Sequence, residues 1–96
     1  MANKYVKYPL SVGVPFVIDV MSYSCPITVT IAPDSSGSVV VETSTTPYAA
    51  GQSGAATWVE RPGGAVTVAT TDAVMAPISA LRFTASVVGG YVEING

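Results

Sequence analysis

"ISALRFTASVVGGYVEIN", residues 78 to 95, decides how the chain is read. Leu81, Phe83 and Ala85 share one face of an extended run, and Ala80, Arg82 and Thr84 share the other. A period of two is the mark of a half-buried strand, whereas a helix would bring apolar residues back at intervals of three and four. Gly89-Gly90 then leads into a second alternating run, in which Val92 and Ile94 face inward. A Gly-Gly pair between two such runs reads as a tight hairpin.

The same period runs upstream. Val12, Val14, Phe16, Ile18 and Val20 fall on one face of a strand. Ile27, Val29 and Ile31 do so in the next, with Thr28 and Thr30 opposite. "APDSSGS" (32–38) is a turn cluster and "SVVVETS" (38–44) another extended run, so residues 25 to 44 read as a hairpin. Asp34 is expected to cap that turn through its side chain. Further on, "ATWV" (56–59) reads as a short strand and "ERPGG" (60–64) as a turn. "AVTVATT" (65–71) reads as a strand with Val66 and Val68 on one face, and "DAVMAP" (72–77) as a connection. The sum is an all-β protein, a small antiparallel β-sandwich or barrel of seven to eight short strands. Its predicted core is Phe16, Ile18, Val29, Ile31, Leu81, Phe83, Val92 and Ile94, each on the apolar face of an alternating run.

Ninety-six residues make one domain. Residues 12–96 form the predicted sandwich. Residues 1–11 read as an N-terminal arm or an edge strand, because Pro9 cannot donate to a central ladder. Charged residues are 10% of the chain, against roughly 25% in an average soluble domain. A surface of Ser, Thr, Gly and Ala suits a protein packed among other proteins. The net charge is −2, and the four bases Lys4, Lys7, Arg61 and Arg82 form no stripe, so nucleic acid is not an expected partner. No apolar run approaches the ~18 residues of a transmembrane helix, and the N-terminus shows no unbroken apolar stretch of a signal peptide. The expectation is synthesis in a cytoplasm with no membrane partner.

Chemistry is sparsely supplied. There is no histidine, which removes the commonest general base and the Ser-His and Cys-His pairings. Cys25 is the single cysteine and reads as a small buried hydrophobe. The acids Asp19, Asp34, Glu42, Glu60, Asp72 and Glu93 lie in separate elements, with no metal-ligand spacing. "RPGGAV" has glycines but no helix after it to cradle a phosphate. No catalytic residue, cofactor site or metal site is expected, and the chain reads as a non-enzyme.

Lys4, Tyr5, Lys7, Tyr8, Tyr48 and Trp58 are the candidate partner contacts, since Tyr and Trp favour interfaces and Lys can meet acidic groups. Residues 1–11 are expected to touch a neighbouring chain. Trp58, the one tryptophan, is expected to cover an open end of the sandwich. Arg82 is expected to reach Glu60 or Asp72, or to lay its stem over Trp58.

From Val39 onward the order of short motifs resembles a group of small β-sandwich proteins encoded among the structural genes of tailed bacteriophages. The matching residues are Ser44 to Pro47, Ala56 to Trp58, Gly63-Gly64, Pro77, Ala80 to Arg82, and Gly89 to Ile94. The resemblance implies a virion component made in the host cytoplasm. It would be a capsid decoration (cement) protein bound to the major capsid protein, or a small tail or neck protein. Symmetric shells offer repeated sites, so such a protein would occur in many copies and as a homo-oligomer. The alternative is a carbohydrate- or receptor-binding fibre tip, with Tyr48, Gln52 and Ser53 as the place to look.

Overall fold

The computed structural model describes residues 4–24, 26–51, 55–75 and 78–96. The strands are β1 (Tyr5–Leu10), β2 (Phe16–Asp19), β3 (Ile27–Pro33), β4 (Ser38–Ser44), β5 (Val59–Glu60), β6 (Thr70–Val74), β7 (Ala80–Ser86) and β8 (Gly90–Asn95). They form two antiparallel four-stranded sheets, ordered β1-β8-β3-β6 and β2-β7-β4-β5. The protein is an all-β sandwich, not a closed barrel.

Alternation fixes which residues fill the space between the sheets. Val29, Ile31, Val39, Val41, Leu81, Phe83, Val92 and Ile94 are all buried there. Phe16 and Ile18 pack against this cluster but stay partly exposed, because β2 is an edge strand. Cys25 lies outside the described residues.

Strand pairing departs from the sequence reading in two places. β3 and β4 do not form a hairpin, and neither do β7 and β8; each pair is split between the two sheets. Of the connections between successive strands, only that from β4 to β5 stays within a sheet. Tight Gly-bearing turns here are arches that carry the chain across the sandwich. Gly89 and Gly90 are needed for close approach rather than for a two-residue turn. A Cβ on Gly89 would run into the Leu10 carbonyl oxygen, and one on Gly90 into that of Ala32.

Two strands also shift. The run from Val12 to Val20 is extended only from Phe16 to Asp19. Gly13 has φ +73°, Val14 N–H donates to the Ser11 carbonyl at 3.2 Å, and Pro15 follows, so residues 11–15 turn before the strand begins. Downstream, Val66 exchanges both backbone hydrogen bonds with Val39, and then the chain leaves that sheet. Val68 is exposed, and strand β6 begins only at Thr70 in the opposite sheet. The Asp34 turn is closed by its backbone, Gly37 N–H to the Asp34 carbonyl at 2.9 Å. A carboxylate caps the chain instead at Asp19, whose Oδ1 accepts from Met21 N–H at 2.8 Å.

Each open side of the sandwich has its own closure. On the β1/β2 side Tyr8 stacks on Phe16, with ring centroids 3.8 Å apart and planes 3° from parallel, and Phe16 reaches Phe83 at 6.2 Å. On the β5/β6 side Arg61 Nε donates to Asp72 Oδ2 at 2.9 Å.

Candidate interaction surface

The arches at 11–15, 34–37 and 87–89 lie together at one end of the sandwich. Asp34 N–H donates to the Gly89 carbonyl at 2.9 Å, Gly13 N–H to the Ala85 carbonyl at 3.0 Å, and Gly37 sits under the Val88 side chain. Three apolar side chains project from this end: Val12, Val14 and Val87, respectively 50%, 60% and 73% exposed. Val87 has φ +74°, and the hydrogen bond across it runs from Val88 N–H to the Ser86 carbonyl at 2.9 Å. That is a γ-turn with positive φ at its centre, a rare and strained form. A β-branched side chain makes the position worse, since Cβ crowding disfavours the left-handed region. A strained backbone therefore holds an exposed valine where Gly or Asn would be cheaper. The sequence signal was the Val87-Val88 pair, which breaks the alternation just before Gly89.

The residues singled out from sequence fall on different faces. Tyr5 and Lys7 lie on the outer face of the first sheet. Tyr5 Oη donates to Glu93 Oε2 at 3.0 Å, and Lys7 Nζ stands 4.5 Å above the Tyr91 ring. The hydrogen bond to Glu93 raises the Tyr5 phenol above its ordinary 10.0, as it is made to the neutral form. Lys4 continues this edge, exchanging backbone hydrogen bonds with Gly96 at 2.6 and 2.8 Å. Tyr8 points the other way and is spent on Phe16. Residues 5–10 are thus an edge strand paired along its length with β8.

Tyr48 and Trp58 belong to the second sheet. Glu42, Ser44, Ala80 and Arg82 all project from its outer face, yet Ser44 and Ala80 are buried. The chain after β4 folds back over them. Ser79 Oγ donates to the carbonyls of Ser44 and Thr46, Thr57 N–H donates to Thr46 Oγ1 at 3.0 Å, and a 3-10 turn at Ala49–Gly51 touches β2 and β7. Small residues are required because Ala49 is fully buried in that layer. Trp58 ends the overlay: the Arg82 guanidinium lies 4.4 Å from the indole centroid while its Nε and Nη2 grip Glu42 at 2.9 and 2.8 Å. The indole therefore covers the outer face and not an open end, and Arg82 pairs with Glu42 and not with Glu60 or Asp72. Tyr48 is highly exposed at φ +57°. Gln52 and Ser53 lie outside the described residues.

A cleft of about 570 Å³ opens between the edges of β5 and β6. Val29, Ile31, Val41 and Leu81 form its floor, and Val59 and Met75 stand exposed at its rim. Asp72 is paired with Val29, and Arg61 follows β5 opposite Val41, so both charges point inward and meet across the opening. Chemically these surfaces offer contact area and directed backbone groups. Among the described residues, no three of Cys, Asp and Glu stand together to hold a metal ion. No family model matches the chain, and no curated protein matches it.

Proposed function

We propose that the chain is a non-enzymatic structural protein of a bacteriophage particle that docks on the assembled shell in many copies, as a decoration protein does. Val87 carries the reading. Strain of the order of 1–3 kcal/mol at an exposed position is retained where the position serves something else, and an exposed apolar side chain serves a partner. Val12 and Val14 beside it extend the patch, and low overall charge suits a protein seated among others. The ordered motifs from Ser44 to Ile94 and the all-β sandwich support the phage setting. Modest single contacts suffice, since a symmetric shell repeats them.

The test is cryo-electron microscopy of purified particles of the phage that encodes the chain. The expected result is density for the sandwich at every equivalent position of the shell, with the Val12/Val14/Val87 end turned to the capsid. Density confined to the tail would replace decoration by the tail or neck role, and absence from the particle would overturn the reading.

A further inference from the structure

The four sheet edges are not equivalent. Lys4 and Gly96 exchange both backbone hydrogen bonds, which sets the alternation for the whole first sheet. Even-numbered residues of β8 bond to β1, so Tyr91, Glu93 and Asn95 bond to β3, and Ile27, Val29 and Ile31 bond onward to Thr70, Asp72 and Val74 of β6. The N–H and C=O groups of Thr71 and Ala73 consequently point out from the free edge of β6, with Met75 next in phase. None of these outward backbone groups makes a hydrogen bond among the described residues; the Thr71 hydroxyl is shared with that of Thr30 at 3.0 Å on the outer face.

On β1 the outward groups belong to Tyr5, Lys7 and Pro9. Self-pairing there would set Lys7 against Lys7 and waste a donor at Pro9, both recognised guards of an edge. β2 is four residues long and turns the charged Asp19 to its edge, and β5 has two residues. β6 has no proline and no lysine. Its one charge, Asp72, points inward and is neutralised by Arg61. Thr71 and Ala73 present small uncharged side chains on the outer face.

We propose that β6 is a self-association edge. Two copies of the chain pair antiparallel about a two-fold axis at Ala73, with Ala73 opposite Ala73 and Thr71 opposite Met75. The first sheets of the two copies then run on as one sheet of eight strands. In this register Asp72 faces Val74 of the second copy, and no like charges oppose each other. Joining the β6 edges also brings the two clefts mouth to mouth, covering the exposed Val59 and Met75 on both copies. One patch serves both copies, as a closed two-fold interface requires. This pairing is independent of where the protein docks.

The test is sedimentation equilibrium of the full chain from micromolar to about millimolar concentration, the weak limit of specific association. Wild type is expected to reach twice the monomer mass. Ala73→Lys places two lysines face to face at an exposed position and is expected to weaken the dimer about fivefold or more. Ala73→Glu should do the same, and an equimolar mixture of the two should restore it. Ala73→Pro removes only the outward N–H, leaves the β3 ladder intact, and should weaken the dimer about tenfold. Lys7→Ala on β1 should change nothing. Amides of Thr71 and Ala73 should exchange slowly in the dimer and fast in Ala73→Lys. A chain that stays monomeric to millimolar concentration overturns the proposal, as it would if the edge takes a strand of a different protein. So does a dimer insensitive to Ala73→Lys and Ala73→Pro.

Discussion

Arg61 and Asp72 project inward from facing edges of the sandwich and meet at 2.9 Å across its open side. Arg61 Nη1 also donates to the Gly64 carbonyl at 3.1 Å, so the turn after β5 holds the guanidinium in place. That turn has Pro62 and then Gly63 at φ +94°, the residue order a type II turn asks for. Both side chains keep contact with water, which limits the strength of the pair. Asp72→Ala and Arg61→Ala should each lower stability by about 0.5–1 kcal/mol in urea denaturation, with a double-mutant coupling in the same range. Arg61→Lys should recover only part of this, since a lysine cannot serve Asp72 and Gly64 with a fixed fork.

Glycines at the arches should separate by space. Gly89→Ala and Gly90→Ala drive a Cβ into backbone carbonyls of Leu10 and Ala32, which cannot swing away. Each should cost about 1–3 kcal/mol or more. Gly51→Ala meets nothing within 4 Å and should be neutral or stabilising by a few tenths, at most about 1 kcal/mol. Thermal melts of the three variants check the ranking.

Trp58→Ala should cost about 1–2 kcal/mol. The indole is half-buried on the outer face, where it loses a cation–π contact with Arg82 and some covered area but opens no core cavity. A loss above about 3 kcal/mol, the range of buried aromatic truncations, would place the indole in the core after all.

Alkaline titration should find Tyr5 and Tyr23 ionising above 10.0, Tyr5 through its hydrogen bond to Glu93 and Tyr23 through burial. A raised folded-state value stabilises the fold while the phenol is neutral, and that contribution fades as pH climbs past 10.0. Tyr5→Phe should remove the Tyr5 transition and leave that of Tyr23, read by ultraviolet difference absorbance.

The faces of β3, β7 and β8 are legible in the sequence, those of the runs at 12–20 and 65–71 only in part, and the pairing partners are not. Leu81, Phe83 and Ala85 announce a buried face by their spacing, because a strand's side-chain period is local. Whether the turn after them is a hairpin or an arch is decided by which sheet has room for the next strand. "VVGG" reads alike in both cases. The inward charge of Asp72 does not show in the sequence, because residues 65–71 read as the strand while the structure begins β6 at Thr70 in the other sheet. Trp58 reads as the cover of an open end because its size suggests burial. Its neighbour Thr57, tied to Thr46, instead lays it on the sheet's outer face. The Val87-Val88 pair marks a break in the alternation, but the positive φ at Val87 is set by the arches around it and does not follow from the pair.

The most direct measurement takes one variant, Val87→Asn, and reads stability and particle binding together. Asn accepts positive φ, so the variant should melt later, by a gain of about 1 kcal/mol. Its binding to particles stripped of the protein should nevertheless fall by about tenfold, the loss of a small apolar anchor. A variant that is more stable and binds as wild type would contradict the docking role of this end of the sandwich.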